Sequence, residues 1–363
     1  MSRKVLGAVM VALIAVGGCS SPESRDPASA PVPDTPNVQA EPTPAVLGNN
    51  KPIMMSPMAT NASISITLSQ AAYPDGAANT AILVRDDTWA YAIATGGVQG
   101  TLGGPLLLTP YQELAPGIID ELRRVGAETV YILGDEATIM PAVAQELTDA
   151  GYTVERIGGG THIQTSVAAA GRLMPDAQTA VVLGGMDQPS DPGRGAVDAL
   201  AAGAWAAIHD YPVLLTDPFF LSPETADYIR QSAIERVVII GGRVAVSEDV
   251  TTELERLGVE VERVGGENRF DTAAKIVEHW GGAHRGYLLI DGNSERLWAA
   301  GFAAAAYSMR ANAPVLLANS GTLPPETDTM LKGLRAPVQL VCAPGVADSP
   351  CMTAQELAKA MAS

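Results

Sequence analysis

Cysteine, histidine and aromatic residues are scarce in this chain of 363 residues. It contains three cysteines and four histidines, and aromatic residues make up 5% of it. Neither the cysteines nor the histidines have the spacing of a metal site. Glu278, His279 and His284 come nearest, but Gly281 and Gly282 interrupt any helix between them. We therefore expect no metal ligands. Because aromatic residues are few, Ala, Val, Leu and Ile must fill the cores.

Signatures of common catalytic sites and cofactor-binding turns are also missing. The sequence has no GxSxG nucleophile elbow, and Gly241 and Gly242 lack the rest of a GxGxxG motif. A tight strand-to-helix turn capped by Ser247 explains these two glycines as well. Asp and Glu number 40, so carboxylate chemistry stays open, but no pair stands out. We expect no catalytic residue and no cofactor.

Basic residues are few, with 23 Lys and Arg against 40 Asp and Glu, and the formal net charge is −17. A field of this sign opposes nucleic acid and anionic membrane surfaces. An anionic ligand would need a local cluster of arginines. We therefore expect no nucleic-acid partner.

The first 58 residues have the pattern of a targeting segment followed by a tether. The apolar run from Val5 to Val16 is too short to span a membrane, and it is typical of a secretory signal peptide, residues 1–18. The residues around Cys19 resemble a bacterial lipoprotein signal, which implies that Cys19 is acylated and anchors the chain in the membrane. An ordinary signal peptide is the alternative. Residues 19–58 are rich in Pro, Ser and Ala, so we expect a disordered tether.

The rest of the chain repeats itself at a constant spacing. The matching pairs are Pro105 and Pro212, Ile132 and Ile239, and Val154 and Val261. Each pair is 107 residues apart, which indicates a duplicated unit. A third copy begins near Tyr287, and its later half is degenerate.

Each unit alternates short apolar runs with charged amphipathic segments, in the order strand, helix, strand, helix. The runs are continuous, which indicates parallel sheets covered on both faces. We predict an α/β fold of three pseudo-repeated, small, doubly wound lobes. Their expected bounds are 59–173, 174–280 and 281–363.

An additional helical pattern, Ala62 to Tyr73, precedes the first unit. Helices beginning near Thr165 and Thr272 hold the corresponding place before the next two units. Unit three ends before such a helix. The N-terminal helix can therefore complete unit three and close a ring-like, pseudo-threefold arrangement, or it can pack on unit one alone.

Several motifs recur in the units, and unit two carries them most completely. They are Asp198-Ala-Leu-Ala, the run Pro212 to Thr216, Gly241-Gly242, Ala245-Val-Ser, Arg263, Gly266, Arg269 and Thr272. Together they resemble the cell-wall-binding repeat type 2 family of bacterial surface proteins, over nearly everything from Ala62 onward. The resemblance implies three lobes that hold a protein non-covalently to wall polymers.

The candidate polymer-binding residues lie in this second unit. They are Asp198, Arg263, Arg269, Asp271 and Thr272. Arginine binds carboxylate and phosphate groups through paired hydrogen bonds. The alternative is that Arg269 and Asp271 tie one lobe to the next by ion pairs.

The other units depart from the motifs. Asp198 is matched by Tyr91 and Ala300, and Arg269 is matched by His162. Unit three lacks both the Gly-Gly pair and the closing motif. If binding depends on groups repeated at every lobe boundary, the boundary near Arg269 is the intact one.

Two further pairs of residues invite a structural interpretation. Cys342 and Cys351 enclose a short loop in a chain expected to be exported, so we predict a disulfide that pins the end of unit three. Trp89 and Trp298 hold equivalent positions. They could stack on sugar rings, but a place in the core is the simpler interpretation.

These observations predict a non-enzymatic lipoprotein on the outer face of the cell membrane, attached to wall glycan or to an anionic wall polymer. An envelope hydrolase that works on wall polymers is one alternative. A scaffold or ligand-binding lipoprotein without affinity for the wall is another.

Overall fold

The computed structural model describes residues 53, 59–186, 197–280, 284, 286–293, 298–333, 339–344 and 346–360. They all fall within one compact unit. Cys19, the expected signal peptide and nearly all of the expected tether lie outside these residues. Among the described residues, no helix is both long and apolar enough to span a bilayer.

The predicted parallel sheets form, one in each lobe. Lobe 1 has β1 (Thr80–Arg85), β2 (Leu106–Thr109), β3 (Thr129–Leu133) and β4 (Thr153–Ile157), in the order β2-β1-β3-β4. Lobe 2 has β5 (Thr179–Gly184), β6 (Val213–Thr216), β7 (Arg236–Ile240) and β8 (Glu260–Val264), in the order β6-β5-β7-β8. Lobe 3 has β9 (Gly286–Asp291), β10 (Val315–Ala318) and β11 (Gln339–Cys342), in the order β10-β9-β11. All neighbouring strands are parallel.

Helices connect the strands. They are α1 (Asn61–Ala72), α2 (Thr95–Leu102), α3 (Ile118–Val125), α4 (Pro141–Asp149), α5 (His162–Leu173), α6 (Ala199–His209), α7 (Pro223–Gln231), α8 (Glu248–Arg256), α9 (Arg269–Glu278), α10 (Trp298–Ala311), α11 (Pro325–Lys332) and α12 (Asp348–Ala360). Proline begins α4, α7 and α11, where its missing N–H costs nothing.

Both faces of the sheets are covered, which explains the continuous apolar runs. In β5, Val181 and Leu183 belong to a core that extends through all three lobes, whereas Ala180 and Val182 belong to a separate core on the opposite face. A third core lies in lobe 3. Trp89 and Trp298 pack against the first core, so the core interpretation is confirmed.

The three Ala- and Gly-rich helices α2, α6 and α10 pack against one another. A Cβ atom at Gly96 would lie 2.5 Å from the Cα atom of Gly203, so α2 and α6 approach as closely as backbones can. The buried amide of Gln99 links α2 to α10, since it donates to the Phe302 carbonyl at 2.9 Å and accepts from the Ala306 N–H at 3.2 Å.

The helices α1, α5 and α9 each pack between two lobes. These crossing helices produce the predicted ring. Helix α5 follows β4 but packs on β6 and α7 of lobe 2, and α9 packs on β10 and α11 of lobe 3. Helix α1 packs on β2 and α3 of lobe 1 in the same way, and also on α10 of lobe 3. The Ser65 hydroxyl accepts from the Leu108 N–H at 3.0 Å, as Ser166 accepts from Leu215 at 3.1 Å. The N-terminal helix therefore meets both lobes that the sequence left open as its partners.

Candidate functional site

The candidate residues of unit two lie around the carboxyl edge of the lobe 2 sheet. The strand order reverses there, because β5 lies between β6 and β7. Ligands of open parallel sheets collect beyond the strand ends at such a switch point. Asp198 lies at the start of α6 and faces the turn after β7, since a Cβ at Gly241 would lie 2.8 Å from its Oδ2 atom.

Arg263 holds the loop that follows β7. Its Nη1 atom donates to the carbonyls of Gly241 at 3.0 Å and Val246 at 2.9 Å, and its Nη2 atom donates to Thr251 Oγ1 at 2.7 Å. Only 19% of its side chain is exposed, and this burial lowers the pKa of the guanidinium. The fork that could bind an anion is occupied by the protein's own loop.

Lobe 1 repeats this arrangement. Arg156 Nη1 donates to the carbonyls of Gly134 at 3.1 Å and Asp135 at 2.9 Å. Arg156 and Gly134 precede Arg263 and Gly241 by the same 107 residues. The arginine of the repeated Val-Glu-Arg motif is therefore a loop clamp in both lobes.

Lobe 3 closes the corresponding strand-to-helix turn with a covalent bond. Cys342, the last residue of β11, is joined to Cys351 in α12 by the disulfide that the sequence predicted. Both cysteines are buried. Because the described part of lobe 3 has no fourth strand to carry a clamping arginine, the disulfide connects the strand end to the helix in its place.

Thr272 and Asp271 shape the turn between β8 and α9. The buried hydroxyl of Thr272 accepts from the Gly266 N–H at 3.1 Å, as Thr165 accepts from Gly159 in lobe 1. Burial acts to raise the pKa of Asp271, but the Glu267 N–H and the Lys275 ammonium outweigh it and hold this pKa below its usual value. Both side chains thus have partners within the turn or within α9.

Arg269 crosses from lobe 2 to lobe 3. Its Nη1 atom donates to the Gly292 carbonyl, just after β9, at 2.7 Å. Its partner is therefore a backbone carbonyl, and Asp271 pairs with Lys275 at 3.1 Å. The predicted tie between lobes is present for Arg269 as a hydrogen bond to backbone, whereas Asp271 makes its ion pair within α9.

His162 holds the matching place at the boundary between lobes 1 and 2. A Cβ at Gly185 would lie 3.5 Å from its ring, and Gly185 follows β5 as Gly292 follows β9. Tyr91, which matches Asp198, contacts the His162 ring edge-on. Burial lowers the pKa of His162, and the adjacent Gly185 backbone opposes this shift. A histidine ring therefore stands at this boundary where the next boundary has the guanidinium of Arg269.

A cleft of about 760 Å³ lies between α9 and α11 in lobe 3. Asp271, Glu278 and Glu326 line it together with apolar groups such as Met330. At the matching place in lobe 2, the ring of Tyr228 in α7 lies 3.4 Å from where a Cβ of residue 171 in α5 would stand. In lobe 1, Gln70 of α1 donates to Glu121 of α3 across the groove.

The histidines weighed for a metal site have other contacts. His279 meets the Lys275 carbonyl at 2.8 Å and Glu262 at 3.2 Å, and His284 meets the Tyr287 hydroxyl at 2.7 Å. Within the described ranges, no three His, Cys, Asp or Glu side chains are grouped so that they could hold a metal ion.

Sequence reasoning missed one surface feature of lobe 2. Phe219 and Phe220, in the loop after β6, are 61% and 51% exposed. The chain has four phenylalanines, so an adjacent pair was a signal that could have been read. What the sequence could not supply is their exposure.

Three lobes, crossing helices and recurring loop clamps define a class of protein built from unequal copies of one α/β unit. The family model described as "Cell wall binding domain 2 (CWB2)" matches residues 156–251 and 263–345. These two stretches of the chain carry repeats of this family, as the motifs predicted.

Two relatives from Bacillus subtilis (strain 168) share part of the sequence. N-acetylmuramoyl-L-alanine amidase LytC is 28% identical over 180 residues, which are 50% of this chain and 34% of LytC. The amidase enhancer is 28% identical over 200 residues, which are 55% of this chain and 26% of that protein. This chain thus spans about a third of one relative and a quarter of the other.

Two solved structures from Clostridium difficile share the fold. Cwp8 aligns with a TM-score of 0.73 and 22% identity over 86% of this chain and 52% of its own. Cwp6 aligns with a TM-score of 0.74 and 19% identity over 85% of this chain and 47% of its own. At these identities the likeness shows the fold alone.

Proposed function

We propose that this protein is a non-catalytic lipoprotein that attaches to cell-wall polymer through its three lobes. The observation that carries the proposal is the match of two repeats to a family described as wall-binding. The loop contacts of Arg263, Thr272 and Arg156 fit such a role, because they fix the strand ends at which a ligand would lie.

The polymer would contact the rim formed by Asp198, Arg269 and Asp271, while Arg263 and Thr272 keep the neighbouring turns in shape. Arg269 is half-buried and has one donor nitrogen on the Gly292 carbonyl, so its guanidinium has further N–H groups for an acceptor on the polymer. The proposal is therefore a site at the boundary of lobes 2 and 3.

The lipid on Cys19 would hold the protein on the outer face of the membrane, and residues 19–58 would let the lobes reach the wall. A single acyl chain binds a membrane only weakly, but the diacylated cysteine that this signal implies carries the two chains that stable retention needs. Wall binding by the lobes would be an independent attachment. Fractionation of cells carrying Cys19→Ala tests the anchor: we expect the protein to leave the membrane fraction, and its retention there would contradict lipidation at Cys19.

The test of wall attachment is co-sedimentation of residues 40–363 with purified sacculi, before and after acid removal of anionic polymers. Saturable sedimentation with either preparation supports attachment, and the comparison tells which polymer is bound. If the protein sediments with neither preparation, the proposal is contradicted, and a scaffold or ligand-binding role is favoured.

The two Bacillus relatives are named as an amidase and an amidase enhancer, so hydrolysis of wall material is the alternative to exclude. Incubation of the protein with labelled wall fragments tests it directly. We expect no release of label above the buffer control, and release that grows with protein concentration would replace the binding role with an enzymatic one.

A further inference from the structure

Phe219 and Phe220 form an exposed aromatic pair at the carboxyl edge of lobe 2. Two of the four phenylalanines of the chain are thus more than half exposed and adjacent to one another. Burial of these rings would stabilise the fold, and the fold forgoes that gain here. Two large apolar side chains that stay exposed side by side on a fixed loop are a candidate contact surface for a ligand.

The backbone of this loop, residues 217–221, is firmly held. The Phe219 N–H donates to Asp217 Oδ1 at 2.8 Å, and the Phe219 carbonyl accepts from Ser247 Oγ at 3.0 Å. The Phe220 carbonyl accepts from Thr216 Oγ1 at 3.1 Å. The rings therefore project from a fixed loop, and a ligand would lose little free energy to ordering it.

The matching loop of lobe 1 shares one of these contacts but has polar side chains at the two phenylalanine positions. In lobe 1, Thr109 Oγ1 donates to the Glu113 carbonyl at 3.0 Å, as Thr216 does to Phe220. Gln112 and Glu113 therefore stand where lobe 2 has its two phenylalanines. In lobe 3 the matching residues are Gly321 and Thr322. Because the two matching positions carry no aromatic ring in lobes 1 and 3, the loop can form without phenylalanine there.

The surroundings of the pair decide what it fits. Its two rings expose roughly 200 Å² of apolar surface, far less than the roughly 800 Å² that each partner of a stable protein complex contributes. Asp217 accepts from the Phe219 backbone, and Arg243, four residues before the Ser247 that holds this loop, already pairs with Glu248 at 2.8 Å. A small, apolar and uncharged group fits this patch better than a protein or a polyanion.

We propose that Phe219 and Phe220 stack against sugar rings of the peptidoglycan glycan strand. One face of a pyranose ring carries C–H groups. These groups pack on the face of an aromatic ring and are attracted by the partial negative charge of that face. This inference rests on the proposed attachment to the wall and names the part of the wall that lobe 2 contacts.

The test uses the full-length chain in mild detergent and acid-stripped sacculi, which keep the glycan strand and lack anionic polymers. The double variant Phe219→Ala/Phe220→Ala should raise the apparent Kd by about tenfold to a hundredfold. Phe219→Trp should bind at least as tightly as the wild type, because a larger ring keeps the stacking surface.

The matched control is Gln112→Ala/Glu113→Ala in the corresponding loop of lobe 1, which should bind stripped sacculi as the wild type does. All substituted side chains are exposed, so the thermal midpoints of both double variants should equal that of the wild type.

The outcomes separate this inference from wall attachment itself. Equal binding by the wild type and the phenylalanine double variant would overturn the stacking surface and leave attachment intact. Wild-type binding that is lost on stripping would also overturn it, because the occupant would be the anionic polymer. No wild-type binding to any sacculi would overturn both.

Discussion

Arg263 Nη1 lies 3.0 Å from the carbonyl oxygen of Gly241. The contact joins the last strand of lobe 2 to the turn after β7, and lobe 1 repeats it between Arg156 and Gly134. Arg263, which the sequence suggested as a ligand-binding residue, instead stabilises the loop at the strand ends, where a ligand would lie.

Arg263→Ala should therefore act on stability. Loss of a charged donor from several backbone carbonyls should lower the free energy of unfolding by about 2 to 3 kcal/mol, measured by urea denaturation. Arg243→Ala, in the same loop but with 77% of its side chain exposed, is the control and should cost less than about 0.5 kcal/mol. Equal effects of the two variants would show that Arg263 does not clamp the loop.

Loss of the Cys342–Cys351 disulfide should weaken lobe 3. The bond spans nine residues in sequence, and the chain-entropy estimate for such a loop is about 2 to 3 kcal/mol. Thermal unfolding of Cys342→Ala/Cys351→Ala should show a lower midpoint than the wild type. Addition of a reductant should lower the wild-type midpoint and leave the variant unchanged, and a wild type insensitive to reductant once unfolded would contradict the bridge.

Gly96→Ala should disrupt the contact between α2 and α6. The new methyl group would lie 2.5 Å from Gly203 Cα, and backbone must move to admit it, at a cost of about 1 to 3 kcal/mol. Gly171→Ala in α5 is the matched control, since its methyl group would lie 3.4 Å from the Tyr228 ring and alanine favours a helix. The control should be neutral or slightly stabilising in the same denaturation experiment, whereas equal effects would refute the close packing.

Stability should fall as the pH drops below about 6.5, the ordinary pKa of histidine. Burial lowers the pKa of His162 in the folded protein, so below pH 6.5 the unfolded chain binds a proton that the folded chain does not. His162→Gln should reduce this slope between pH 7 and 5. Because burial also lowers the pKa of His284, part of the slope should remain until His284 is replaced too. An unchanged slope in the double variant would contradict the assignment.

The sequence predicted the strands and their order of appearance because continuous apolar runs closed by Gly, Asp or Ser leave few alternatives. The run Pro212 to Thr216 became β6, and the early helical pattern became α1. Which lobe each crossing helix covers was left open for α1, because apolar periodicity marks a buried face without naming its partner.

The candidate site was harder to predict than the fold. Motif spacing located Arg263, Arg269 and Thr272, but the carbonyls and N–H groups that they contact are backbone atoms with no sequence signature. Exposure is equally invisible in a sequence, which is why the Phe219–Phe220 pair went unnoticed. The repetition was the most informative feature for assigning roles. A contact found at matching residues in two lobes has a structural role common to the units, whereas a feature of one lobe has a role of its own.

The binding isotherm of residues 40–363 on intact sacculi tests wall attachment most directly, with Arg269→Ala measured beside the wild type. We expect saturable binding by the wild type and an apparent Kd raised about fivefold to tenfold in the variant, which loses a charged donor at the lobe boundary. Sedimentation of the wild type no greater than in tubes without sacculi would contradict the account and leave a membrane anchor as its only proposed attachment.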